Sequence, residues 1–160
     1  MDEVGQAAVQ YARRGWFIVP LHGLVDGVCT CREAGECGSP GKHPLWDKWE
    51  RLASADPATV EGWWRGFNGK PRNVGIVCGP SGIAVIDVDG EEGERTLRSL
   101  GLEVFGPTVI TGRGRHIYVD GTGIVATKLP GIDIKAGIGY VVAPPSLHVS
   151  GRRYAWDEGL

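Results

Sequence analysis

The run GIAVIDVDG, residues 82–90, seats Asp87 and Asp89 among Ile83, Val85, Ile86 and Val88. In a strand, residues i and i+2 share a face, so the two carboxylates stand together with α-carbons roughly 6.5–7 Å apart. Like charges at that spacing repel and are costly to bury unpaired. Something cationic should lie between them. A plainer reading makes Asp89-Gly90 the turn at a strand end. It accounts for Asp89 and leaves Asp87 without a reason.

Three further segments carry chemistry. CTCREAGECGSPGKHP holds Cys29, Cys31, Cys37 and His43 within fifteen residues. Thiolate and imidazole suit tetrahedral zinc, although C-x-C-x5-C-x5-H departs from the common C-x2-C knuckle. A disulfide or free thiols would be the alternatives, the disulfide disfavoured in a reducing compartment. TGRGRHIYVD sets His116 after a glycine turn, where backbone N–H groups and the charges of Arg113 and Arg115 suit phosphate. Along the strand Arg115 and Ile117 are expected to face away from His116, which taken alone reads more readily as a core or edge histidine hydrogen-bonded to a neighbour. GIDIKAGIGYVVAPPS offers Asp133 and Lys135 on one strand face, as a surface ion pair or as a third metal-facing acid beside a phosphate-binding lysine. Cys78, in GIVCG, reads as a small buried hydrophobe.

The elements that must position these groups can be read coarsely. A helix is expected over residues 2–14 and a strand over 16–21. A second helix spans 56–67, with Asp56 as N-cap and Pro57 at its first position. VGIVCG and GIAVIDVD are expected to form a hairpin through Gly79-Pro80-Ser81. Residues 90–101 read as a helix, acidic in its first turn and stopped by Gly101. TVIT pairs with RHIYVD, and IDIKA with GYVVAPP. Short strands joined by glycine turns, with helices between, predict an α+β fold with a largely antiparallel sheet.

The chain has 160 residues, 42% of them hydrophobic and 26 of them glycine, which suits one domain with a proper core. Its net charge of −2 announces no nucleic-acid binder, so any such contact must come from a local patch. No apolar run approaches a membrane span, and the N-terminus lacks a signal-peptide core. A cytoplasmic location is expected, that of the host cell if the gene is carried by a phage.

In their order, these segments resemble the bifunctional primase-polymerase domain of the archaeo-eukaryotic primase superfamily, found at the N-terminus of phage and plasmid replication proteins. The likeness runs from GWFIVPLHG to PPSLHVSGRRYAW and is closest to the actinobacterial phage type. Its signature is a DxD strand, a histidine after a glycine turn and a third acid before APPS; here these are Asp87-Val88-Asp89, His116 and Asp133. PGKHPLW is similar to the family's zinc loop, which implies structural Zn2+ on Cys29, Cys31, Cys37 and His43. The resemblance implies one catalytic domain over 1–160, with the zinc loop at about 29–43, as the N-terminal part of a longer replication protein. It implies a core related to the RNA-recognition-motif sheet, packed with a small α/β unit.

The activity implied is template-directed nucleotidyl transfer, DNA primase and polymerase in one site. Asp87, Asp89 and Asp133 would hold Mg2+ or Mn2+, with His116, Arg113 and Lys135 on the incoming nucleotide. Two divalent ions about 3.5–4 Å apart activate a primer hydroxyl and neutralise the leaving pyrophosphate. The partners implied are template and primer DNA, nucleoside triphosphates, and an accessory or helicase domain. Two other readings use the same parts: a metal-dependent nuclease or phosphatase, and a non-catalytic zinc-stabilised DNA-binding module using KHPLWDKWERL and WWRGF. Trp63 and Trp64 are more readily core residues than base-stacking ones.

Overall fold

The structure, a computed structural model, describes residues 1–66 and 69–158. In chain order the elements are α1 (Glu3–Arg13), β1 (Phe17–His22), β2 (Leu24–Val25), β3 (Val28–Cys29), α2 (Trp49–Leu52), α3 (Pro57–Arg65), β4 (Arg72–Val77), β5 (Ile83–Val88), α4 (Gly90–Ser99), β6 (Thr108–Ile110), β7 (Arg115–Asp120), β8 (Thr127–Leu129), β9 (Ile132–Lys135), β10 (Tyr140–Ala143) and β11 (Ala155–Trp156). The helices start as their caps dictate. The Asp2 carboxylate accepts the Gly5 N–H at 2.8 Å, and the Asp56 carboxylate accepts that of Thr59 at 2.8 Å. Phe67, expected to close α3, lies outside the described residues.

Two antiparallel sheets form the body: β1-β4-β10, and a six-stranded sheet ordered β11-β6-β7-β5-β9-β8. The α+β antiparallel architecture expected from the sequence is present, and β6 pairs with β7 as expected. Two expected pairings are not formed. β4 and β5 do not make a hairpin, because each is a central strand with both edges taken: β4 by β1 and β10, β5 by β7 and β9. Nor do β9 and β10 pair, since β9 lies between β5 and β8 while β10 edges the smaller sheet. The chain crosses between the two sheets three times, from β4 to β5, from β9 to β10 and from β10 to β11, and the first two crossings lie side by side. At that point the Gly79 N–H donates to the Gly137 carbonyl at 2.6 Å, and a Cβ on Gly79 would lie only 2.6 Å from the same oxygen. Glycine is required there by close backbone approach.

Alternation divides the larger sheet into two unlike faces. Val88, Ile117 and Ile132, with Ile86, Val119 and Ile134, pack toward Leu97 of α4. Residues one position out of phase face the other way. Of these, Val85, Val109 and Tyr118 join the main core with α1, α3 and the smaller sheet, whereas Asp87, His116 and Lys135 open into a cleft. Cys78 is fully buried, and Trp64 is buried against Gly5. Among the described residues no helix is long and apolar enough to cross a membrane.

Candidate active site and metal centre

Strand register sets two of the three carboxylates side by side. Asp87 on β5 stands opposite His116 on β7 and, on its other side, opposite Asp133 on β9. One cross-strand row therefore reads His116, Asp87, Asp133, Lys128, the last contributed by β8. Asp89 lies just beyond the end of β5, at the N-cap position of α4 with extended backbone, and lines the same cleft as Asp87. The cleft encloses about 490 Å3 between the two sheets.

Asp87 is unusual among these acids. Its side chain is only 33% exposed and accepts no hydrogen bond among the described residues; its nearest partner is His116 Nε2, 3.5 Å from Oδ1. Burial, reinforced by Asp133 and Asp89, pushes its carboxyl up to about 6 against the opposing pull of Lys135 and Lys42. Burial also pushes the His116 imidazole down to about 4, helped by the charges of Lys42 and Lys135, so the ring is neutral at pH 7 and supplies no counter-charge. Its Nδ1 is buried without a hydrogen-bond partner among the described residues. Asp89 is held by Arg113 at 3.2 Å, and Asp133 by Lys135. Hard oxygen donors around an uncompensated carboxylate fit a magnesium- or manganese-type cation.

Arg115 faces away from His116, as alternation along the strand predicts, and adds no charge to the cleft: its guanidinium grips Glu94 of α4 at 2.8 and 3.1 Å. One detail differs from the sequence expectation. The N–H groups of the Gly-Arg-Gly turn are not turned out for phosphate. Those of Arg113 and Gly114 donate to the Thr111 hydroxyl at 3.4 and 2.9 Å. Arg113 and Lys135 do reach the cleft, each through an ion pair.

Cys29, Cys31, Cys37 and His43 converge so that all four ligand atoms lie within 4.8 Å of one another. Tetrahedral bonds of ordinary zinc length place sulfur and nitrogen ligands about 3.6 Å apart. His43 Nε2 lies 3.6 Å from Cys29 Sγ and 3.4 Å from Cys37 Sγ, so the set fits zinc, with no ligand position left over. Elemental analysis of protein purified without chelator should return one zinc per chain; none, or a disulfide among these cysteines, would remove the site. The zinc loop is no remote appendage, since Ser39, Lys42 and His43 line the cleft. Trp49, Thr111, His148 and Tyr154 line it too, and none of these four is marked by the DxD, GRGRH or IDIK segments. The sequence does offer one signal for Lys42 and His148: each adjoins a segment already singled out, Lys42 just before His43 and His148 two residues after APPS.

A row of acids across an antiparallel sheet thus borders a cleft of an α+β domain that residues of the Cys3His loop also line. The chain matches the model of the family described as bifunctional DNA primase/polymerase, N-terminal (Prim-Pol), over residues 8–160, and belongs to that family of nucleotidyltransferases. Comparison with curated proteins finds no match.

Proposed function

We propose that this domain extends primers from deoxynucleoside triphosphates on a DNA template, and initiates them, during phage or plasmid replication, as the catalytic part of a longer replication protein. The observation that carries this reading is Asp87, a two-thirds-buried carboxylate with no hydrogen bond, flanked in register by a neutral histidine and a second acid. Asp87, Asp89 and Asp133 would hold the Mg2+ or Mn2+ ions. Once bound, these ions supply Lewis acidity to the primer hydroxyl and charge neutralisation to the departing pyrophosphate. The chain's own residues do the rest. Arg113 and Lys135, which line the cleft beside Asp89 and Asp133, would pair with the triphosphate. His116, a neutral ring lining the cleft beside Asp87, would offer its one N–H to a phosphate oxygen.

The test is extension of a labelled primer on a template with dNTPs and magnesium or manganese. Products lengthened one nucleotide at a time support the reading. Shortened primer without nucleotide dependence would replace it with a nuclease, and binding with no product would leave a DNA-binding module. His116→Ala should lower kcat/KM for dNTP by roughly ten- to a few-hundred-fold, the worth of one hydrogen bond to a charged group. Divalent-ion affinity without nucleotide should change little. Because the ring is 6% exposed, its loss also leaves a void, and Tm should fall by a few degrees. A destabilised variant with unchanged kcat/KM would make His116 a core residue.

A further inference from the structure

Of the cations lining the cleft, Arg113 and Lys135 are paired with carboxylates, whereas Lys42 has no carboxylate partner among the described residues. Yet its backbone is held at three successive carbonyls. The carbonyls of Gly41, Lys42 and His43 accept, in turn, from the Asn73 amide at 2.8 Å, the Tyr140 hydroxyl at 2.8 Å and the His22 N–H at 2.9 Å. Each donor comes from a different strand of the smaller sheet: β4, β10 and β1. The loop on either side is closed by Cys37 and His43. A lysine so held, half-buried and unpaired, gains nothing for the fold from its charge.

His148 is placed by the same amide. Asn73, 2% exposed, also donates to the Leu147 carbonyl at 2.8 Å and accepts the Leu147 N–H at 2.9 Å. One buried side chain thus ties the residue before Lys42 to the residue before His148. The Ser150 N–H donates to His148 Nδ1 at 3.1 Å, so that nitrogen carries no proton and Nε2 is the donor. Gly112 makes room for the ring: a Cβ there would lie 2.2 Å from Nδ1. Tyr154 packs edge-on to it, with ring centroids 5.8 Å apart.

We propose that Lys42 and His148 form a phosphate-binding pair for the triphosphate of the incoming nucleotide, pre-set by Asn73 and by the zinc loop. This rests on the polymerase reading. An ammonium and a neutral N–H donor, both held in place before substrate arrives, face the cleft across from the carboxylate row. Donors that need no reorganisation are those that bind anions best. The pair explains why a zinc loop is built against a nucleotide cleft: it delivers Lys42.

Binding is read without chemistry, by calorimetric titration of the zinc-loaded protein with dCTP and magnesium in the absence of DNA. Lys42→Met and His148→Gln should each weaken dCTP binding about ten- to hundredfold, with Lys42→Arg recovering most of the loss. Zinc content should stay at the wild-type value, and affinity for primer-template without nucleotide should hold within about twofold. Lys42 is a loop residue, so Lys42→Met keeps the test open even if His148→Gln is poorly folded. Unchanged dCTP affinity in Lys42→Met, or loss confined to primer-template binding, overturns the proposal. Wild-type protein that binds dCTP through this pair but extends no primer leaves the pair standing and removes the polymerase reading instead.

Discussion

Asp87→Ala is expected to reduce dNTP incorporation by about a thousandfold or more while leaving a folded domain, because it deletes the central ligand of the acidic row. The stability side of the expectation has a definite sign. An unfolded aspartate titrates near 4, whereas burial lifts folded Asp87 to about 6. Between those values the folded state binds more proton than the unfolded one, so stability falls as pH rises through that window. At pH 7.5 in magnesium-free buffer, Asp87→Ala should therefore melt at or above the wild-type temperature, and its Tm should lose part of the wild-type decline between pH 4.5 and 7. Adding magnesium or manganese should raise the wild-type Tm and leave that of Asp87→Ala unmoved. A variant that melts well below wild type would make Asp87 a structural group, and normal incorporation would remove the acidic row from the chemistry. Asp133→Ala is the sharper companion, since it releases Lys135 as well.

Removing zinc should have the next largest effect. In Cys37→Ser, or after treatment with a strong chelator, Tm should fall by about 10 °C or more. Structural zinc contributes directly to folding free energy, and a domain of this size loses about 2–4 °C per kcal/mol. The loop's ties to Asn73, Tyr140 and His22 limit the damage to partial rather than global unfolding. Nucleotide incorporation should fall with it, because Ser39, Lys42 and His43 form part of the cleft. Returning equimolar zinc to chelated wild type should restore both. Zinc-free protein with unchanged Tm and unchanged kinetics would reduce the cluster to ordinary surface thiols.

Much of this was legible in the chain, for reasons that are local. Capping chemistry sets the starts of α1 and α3 through Asp2, Asp56 and Pro57, and Gly101, in the left-handed region at φ +63°, stops α4. Period-two alternation puts Asp133 and Lys135 on one face and Ile132 and Ile134 on the other, independently of what β9 pairs with. The same rule separates Arg115 from His116. The cysteine cluster declares itself because few uses other than metal bring three thiols and an imidazole into fifteen residues.

Beyond the β6–β7 pair, strand partnership was not legible, since a strand's own residues do not say which of two edges a neighbour in sequence will take. GIVCGPSGIAV looks like a hairpin by every local criterion, and residues 78–82 do form its tight turn, yet both strands are central in different sheets, so the turn carries a crossing. By itself the sequence determined which side chains share a face, where helices begin and which residues could ligate metal. Only the tertiary structure decided that β7, β5 and β9 lie adjacent in a register aligning His116, Asp87 and Asp133, and that Lys42 and His148 meet them across a gap. The physical reason is that face and cap follow from bonds within a few residues, whereas register and adjacency follow from burying two sheets against one core.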